Sequence, residues 1–148
     1  FSPTYREKYF EFLKIDFPKI LFTKDKVLFE KLSELGTELI ENHLLKRDYP
    51  KNEMPVFAVA GNNEVKQISY NEELQRLYIN KTQYFENFLK SVWEYEIGGY
   101  LVFDKYLKAR KEMELSYNEI NHIKKVAASI SKTIELQQNI DDICANWI

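Results

Sequence analysis

Apolar positions recur along this chain with two different periods, and each period predicts one kind of element. Returns every three or four residues, the helical period, predict helices at residues 4–14, 28–45, 101–111 and 117–141. Short apolar or alternating runs bounded by turn residues predict strands at residues 56–60, 65–70, 74–79 and 93–97. The sequence therefore predicts an α+β fold. A small, mostly antiparallel sheet in the middle of the chain is flanked by helices, and the last helix is long.

The second predicted helix carries signals at its start and in its interior. Ile20-Leu-Phe22 is predicted to be extended and buried, and Thr23 is predicted to cap the helix, with Asp25 favouring the dipole of its first turn. Gly36 costs roughly 1 kcal/mol relative to alanine inside a helix, so we expect a close helix or strand crossing there. The opposite face is acidic and is predicted to face solvent.

The clearest helix start is Ser116-Tyr-Asn-Glu119, a capping box in which the serine and the glutamate satisfy each other's backbone N–H groups. Leu115 and Ile120 are placed as its hydrophobic staple. The regular apolar stripe that follows predicts packing against the helix at 28–45.

A pair of glycines separates a predicted strand from a basic helix. Trp93, Tyr95 and Ile97 alternate with glutamates up to Gly98-Gly99, and the helix at 101–111 follows directly. That helix carries Lys105, Lys108, Arg110 and Lys111 against the single anion Asp104 between residues 102 and 111. Exposed backbone N–H groups followed by a basic helix suit a polyanion. An ordinary solvated face is an equally good interpretation of the cations, including Lys124 and Lys125 on the next helix.

Three stretches carry a family resemblance. They are Ile15-Asp-Phe-Pro-Lys-Ile-Leu-Phe22 running into Leu28–Leu45, Tyr78-Ile-Asn-Lys-Thr-Gln-Tyr-Phe85 and Trp93-Glu-Tyr-Glu-Ile-Gly-Gly-Tyr-Leu-Val-Phe-Asp-Lys-Tyr-Leu-Lys-Ala-Arg-Lys111. In this order they resemble the C-terminal specificity region of type ISP restriction-modification enzymes and related adenine-specific DNA methyltransferases. The resemblance implies a target-recognition domain that reads duplex DNA for a methyltransferase, an ATP-driven motor and a nuclease elsewhere in the polypeptide.

The resemblance also implies what the chain contacts and what it lacks. Residues 1–148 are expected to be one domain from the C-terminal part of a larger enzyme, with no cofactor of its own, while the parent would use S-adenosylmethionine, ATP and Mg²⁺. Its partners would be double-stranded DNA and the other domains of the parent chain. The predicted DNA contacts, in two groups, are Gly98, Gly99, Tyr100, Lys105, Lys108, Arg110, Lys111, Lys124 and Lys125, and a second loop of Asn80, Lys81, Thr82 and Gln83.

Composition keeps a second hypothesis open. The chain has 148 residues, 45% of them hydrophobic and 30% charged, which is typical of a folded domain, but its net charge of -2 disfavours a free-standing nucleic-acid binder. The alternative is a helical docking or scaffold domain that holds the methyltransferase and motor domains together without contacting DNA. A single cysteine indicates a reducing cytoplasm, and no apolar run approaches the roughly 20 residues of a membrane span.

The motifs for catalysis are weak in this chain. Glycines at 36, 61, 98 and 99 fit neither a P-loop nor a dinucleotide fingerprint, and the four prolines never form the Pro-Pro pair of an amino-methyltransferase site. Glu64-Val-Lys66 has the spacing of metal-dependent nucleases, with Asp48 as a conceivable second ligand, but chance produces it readily in a chain rich in Glu and Lys. His43 and His122 are expected to be exposed helical residues, and Cys144 to be a buried, inert thiol. We therefore expect this segment not to be an enzyme itself.

Overall fold

A computed structural model describes residues 2–19 and 22–145 and divides the chain into two compact units. The helical unit takes its residues from Phe1–Arg47 and Lys132–Ile148, and the mixed unit is Asp48–Ser131. The mixed unit contains a small antiparallel sheet, with helices before and after it along the chain. The predicted α+β class is therefore confirmed, and the prediction of one domain over residues 1–148 stays a prediction.

The helical unit begins with two short helices, α1 at Pro3–Lys8 and α2 at Phe10–Leu13, where one helix was predicted. The longer helix α3 spans Lys26–His43. Its N-cap is Asp25, whose Oδ1 accepts hydrogen bonds from the N–H groups of Val27 at 2.9 Å and Leu28 at 3.2 Å. The predicted cap, Thr23, is wrong, because its hydroxyl oxygen accepts instead from the Asp25 N–H at 3.0 Å.

Two further predictions about this region are wrong. Phe22 is 80% exposed rather than buried, while Ile20 and Leu21 lie outside the described residues. A Cβ added at Gly36 would meet nothing within 4 Å, so no close crossing occurs there among the described residues.

The last helix, α6, spans Tyr117–Cys144 and confirms the predicted long C-terminal helix. Its residues from 132 onward belong to the helical unit, where the buried Asn42 Nδ2 donates to Thr133 Oγ1 at 2.8 Å. Thr4 Oγ1 donates to Asp141 Oδ2 at 2.8 Å, and Ser2 donates to the same carboxylate. The second part of α6 therefore contacts both α1 and α3. The contact with α3 was predicted for the helix at 28–45.

The sheet of the mixed unit is a meander of three short strands. Strand β1 (Ser69–Asn71) pairs with β2 (Arg76–Tyr78), which pairs with β3 (Tyr84–Phe85), and all are antiparallel. The predicted strand at 56–60 is wrong, since only Val56 pairs, through one bridge to Glu86, and the run alternates between exposed and half-buried positions. A 3₁₀-helix at Lys51–Glu53 precedes it.

The core of the mixed unit is largely aromatic and aliphatic. The rings of Phe88 and Phe103 meet edge to face with centroids 4.9 Å apart. Helix α4 (Lys90–Trp93) contributes Val92, and α5 (Val102–Lys108) contributes Phe103 and Leu107. The capping box is confirmed, because Glu119 N–H donates to Ser116 Oγ at 3.2 Å and Ser116 N–H donates to Glu119 Oε2 at 2.9 Å. These contacts fix α5 and the start of α6.

Candidate functional site

The glycine pair forms the turn of a small hairpin. Strand β4 (Glu96–Ile97) pairs antiparallel with β5 (Tyr100–Leu101), and Ile97 lies opposite Tyr100. Gly98 and Gly99 have φ of 61° and 80°, the left-handed values that a two-residue type I′ turn requires at both positions. The predicted strand at 93–97 leading directly into a helix is wrong, because α4 ends at Trp93 and β5 intervenes before α5.

The hairpin exposes apolar surface beside a cation. Ile97 is 65% exposed and Tyr100 is 59% exposed. The Lys105 Nζ lies 4.2 Å from the centroid of the Tyr100 ring, a cation–π distance. An exposed aromatic ring and an ammonium group are therefore adjacent at the predicted site, and both can face a ligand.

The cations predicted on and beyond α5 have different surroundings. Lys105, Lys111 and Lys125 are exposed, Lys124 is half-buried, and Lys108 forms an exposed ion pair with Asp104 at 2.7 Å. Such a pair contributes little to stability, so Lys108 can exchange its partner for another anion. Four of these five lysines, all except Lys124, therefore expose their positive charge to solvent.

Arg110 has a structural role that the sequence analysis did not predict. Its Nε donates to Glu119 Oε1 at 2.9 Å, and its guanidinium lies 3.6 Å from the Tyr106 ring centroid. Hydrogen bonds from the Ser116 backbone and from Arg110 lower the pKa of Glu119 to about 2. Because Arg110 ties the end of α5 to the capping box, the structure argues against using it as a DNA contact.

Helices α5 and α6 pack side by side in the mixed unit. Tyr106 and His122 have ring centroids 6.0 Å apart, and an apolar cavity of about 140 Å³ lies between the helices. Lys124 and Lys125, which were predicted as DNA contacts, therefore lie on a helix next to α5. The convergence of these cations on one ligand stays a prediction.

The second predicted loop, residues 80–83, is built around a buried glutamine. Gln83 is 1% exposed, and its Nε2 donates to Val59 O at 3.0 Å and Asn63 Oδ1 at 2.8 Å. Its Oε1 accepts from Asn63 N–H at 2.8 Å and Asn80 Nδ2 at 3.1 Å. The prediction that Gln83 contacts DNA is therefore wrong, because its side chain is buried and all its polar atoms are bonded within the protein. Asn80 Oδ1 similarly accepts from the Thr82 and Gln83 N–H groups, which leaves Lys81 and Thr82 as the exposed residues of the loop.

An open cavity of about 310 Å³ lies where this loop meets the turn after residue 60. It is lined by Gly61, Asn62, Lys66, Gln67, Asn80, Lys81, Thr82 and Gln83. The sequence analysis missed Asn62, Lys66 and Gln67 as site residues, although Gly61-Asn-Asn was a recognisable turn. Polar side chains from two loops therefore converge here, which neither loop alone could reveal.

The stretch Glu64-Val-Lys66, which has the spacing of metal-dependent nucleases, contributes Lys66 to the lining of this cavity. Lys66 Nζ lies 2.9 Å from Glu64 Oε2, and this pairing raises the lysine pKa. Within residues 2–19 and 22–145, no group of three or more His, Cys, Asp or Glu side chains is placed to hold a metal ion. His43 and His122 are exposed on helices, and Cys144 is buried, as predicted.

No helix in the described part of the chain has both the length and the apolar content needed to cross a bilayer. The mixed unit exposes a lysine-bearing helix and a cavity lined by polar residues, features typical of a binding surface. Residues 1–139 match the family model of the Type ISP C-terminal specificity domain, and the chain belongs to this family. The resemblance noted in the sequence is thus confirmed. None of the curated proteins matches the chain.

Two solved structures share the fold. A nuclease-deletion mutant of the Type ISP restriction-modification enzyme LlaGI, in complex with a DNA substrate mimic, matches with a TM-score of 0.66 and 20% identity over 93% of this chain. The ATP-dependent Type ISP enzyme LlaBIII, bound to DNA, matches with a TM-score of 0.67 and 22% identity over 94% of this chain. This chain covers only 12% and 10% of those two chains.

Proposed function

We propose that this chain is a DNA sequence-recognition module of a restriction-modification enzyme, non-catalytic itself. It would position duplex DNA for adenine methylation and cleavage by other domains of the parent polypeptide, which would use S-adenosylmethionine, ATP and Mg²⁺. The observation that carries the proposal is membership of the specificity-domain family over residues 1–139. The DNA-bound state of both structural neighbours supports it.

The surface proposed for the phosphate backbone is the hairpin, α5 and the turn after α5 that carries Lys111. Lys105, Lys108 and Lys111 are exposed cations close together in sequence, and Gly98 and Gly99 leave the hairpin turn without side chains. Lysines at such a surface contact phosphates and position the duplex without reading its sequence. The overall charge of -2 disfavours a free-standing binder, but a module of a larger enzyme can still bind phosphates where its cations are locally in excess, as on residues 102–111.

Charge reversal tests this surface. The variant Lys105→Glu/Lys108→Glu/Lys111→Glu should lose binding to a fluorescent 20-bp duplex, and its log–log salt slope should be shallower by up to about 2.7 if each lysine contacts one phosphate. Lys24→Glu/Lys31→Glu/Lys46→Glu is the matched control, since it changes the same charge at exposed lysines of the helical unit. Equal losses in both variants would reject the proposed surface.

A docking or scaffold function is the second candidate, and the helical unit favours it. Among the described residues of that unit only Leu39, Leu136 and Cys144 are fully buried apolar side chains. On α3, in contrast, Phe29 and Ile40 are each more than half exposed, as is Leu44 at its C-cap, and the three lie on one stripe with Gly36. An apolar stripe of this kind is typical of a protein–protein contact.

The two candidates differ in what the stripe does. Under the docking function, Ile40→Asp/Leu44→Asp in the parent polypeptide should weaken the association of its domains, measured by limited proteolysis, and Lys105→Glu/Lys108→Glu/Lys111→Glu should leave DNA binding unchanged. Under the recognition function, the lysine variant should lose DNA binding.

A further inference from the structure

The polar atoms of Gln83 are all used to join two loops. A glutamine amide can donate two hydrogen bonds and accept two, and the four bonds to Val59, Asn63 and Asn80 use every one. The bonds attach the turn at 61–63 to the loop at 80–83 with a fixed geometry.

Gly61 is the residue that allows this attachment. A Cβ at position 61 would lie 2.5 Å from Gln83 Cδ and 2.7 Å from both Nε2 and Oε1. The glutamine amide therefore lies directly against the Gly61 backbone, and any larger side chain would displace it. This buried contact joins the two loops, together with the hydrogen bond from Asn80 Nδ2 to Glu64 O at 2.9 Å.

The side chains around the cavity differ chemically from those of α5. Gln67 and Lys81 are exposed and make no side-chain hydrogen bond within the described part of the chain. An amide both donates and accepts, which matches the mixed pattern of base edges in the major groove, and lysine donates to the acceptors of guanine. Glu64 partly neutralises Lys66, so the cavity is only weakly cationic. A weakly cationic, amide-bearing surface suits base edges better than phosphates.

We propose that the cavity lined by residues 61–62, 66–67 and 80–83 is the base-reading surface of this chain, with Gln67 and Lys81 contacting base edges in the major groove. Gln83 is a positioning residue that acts through the two loops and touches no DNA. The inference depends on the proposed function, in which the α5 lysines contact phosphates, and it assigns sequence discrimination to a separate set of residues.

The test is selection of duplexes from a random-sequence 20-bp pool, followed by the ratio of Kd values for a scrambled and an enriched duplex. The wild-type chain should enrich a motif. Gln67→Ala/Lys81→Ala should reduce the Kd ratio by roughly tenfold or more, as expected when a base contact is lost. Gln138→Ala/Lys24→Ala is the matched control, because it removes the same residue types at exposed positions of the helical unit.

Gly61→Ala tests the positioning role. It should reduce the Kd ratio. The Kd for the scrambled duplex should stay within about threefold of the wild-type value, and the salt slope for that duplex should equal the wild-type slope within experimental error. A contribution to folding alone would weaken binding to both duplexes equally. The variant Lys105→Glu/Lys108→Glu/Lys111→Glu should show the converse. It should weaken binding to both duplexes and change the Kd ratio little.

Two results would overturn the inference while the proposed DNA binding stands. One is a Gln67→Ala/Lys81→Ala variant that enriches the wild-type motif with an unchanged ratio. The other is a wild-type chain that binds duplexes with salt dependence but enriches no motif. A wild-type chain that binds no duplex would overturn both the inference and the proposed function.

Discussion

Replacing Gly61 by alanine and Gln83 by alanine, singly and together, measures the contact that holds the two loops. Gly61→Ala places a methyl group 2.5 Å from Gln83 Cδ, so the glutamine must move. Overpacking of this kind costs about 1–3 kcal/mol of unfolding free energy. The φ of Gly61 lies outside the left-handed region, so backbone strain does not contribute.

Gln83→Ala removes four hydrogen bonds, each with a net contribution of about 1 kcal/mol, so we expect a destabilisation of about 4 kcal/mol. In the double variant the added methyl group no longer meets the amide. Its destabilisation should therefore stay near that of Gln83→Ala alone, and the coupling free energy should be about 1–3 kcal/mol.

Urea denaturation followed by circular dichroism gives the free energies of unfolding. Hydrogen exchange of the Asn63 amide gives a local measurement, because that N–H donates to Gln83 Oε1 at 2.8 Å. Additivity of the two substitutions within about 0.5 kcal/mol would refute the reasoning. So would a Gly61→Ala variant as stable as wild type.

Three further predictions concern other parts of the chain. Gly36→Ala should raise the free energy of unfolding in urea by about 1 kcal/mol, since a Cβ there meets nothing within 4 Å. A lower free energy of unfolding would contradict the open space at this position. Gly98→Ala/Gly99→Ala should destabilise the hairpin by about 1–2 kcal/mol per residue, whereas Gly98→Asn/Gly99→Asn should cost less; equal stabilities of the two double variants in urea would contradict the left-handed turn. Because the pKa of Glu119 is lowered from 4.5 to about 2, its carboxylate stabilises the fold above pH 4.5, and this contribution is lost as the pH falls from 4.5 toward 2. Glu119→Gln should therefore show a smaller fall in melting temperature over that pH window than wild type, and parallel curves would contradict the assignment.

Helices with local signals could be predicted from the sequence. The capping box at Ser116 and the apolar stripe after it depend on residues three and four apart, and α6 begins where they indicate. The leucines of α3 likewise recur every three or four residues, which is the helical period. In both cases the information that determines the element lies within one or two turns of it.

Strands and site residues depended on distant partners, and the sequence indicated them poorly. The run at 56–60 is as apolar as a buried strand, yet only Val56 finds a partner, Glu86, 30 positions away. Gln83 is a polar residue in a polar stretch, which is typical of a solvent-exposed loop. It is buried because its amide packs against Gly61, 22 positions earlier in the chain. The hairpin was missed because two-residue strands are too short to produce a period.

The lone thiol has a practical consequence for mapping the chain on DNA. Cys144 is 3% exposed, and burial raises the pKa of its thiol, so the reactive thiolate is scarce at neutral pH. A cysteine introduced at an exposed position such as Lys81 or Lys125 would then react selectively with a tethered cleavage reagent. Strand scission from each position would report which base pairs lie nearest to it, without first removing the native cysteine.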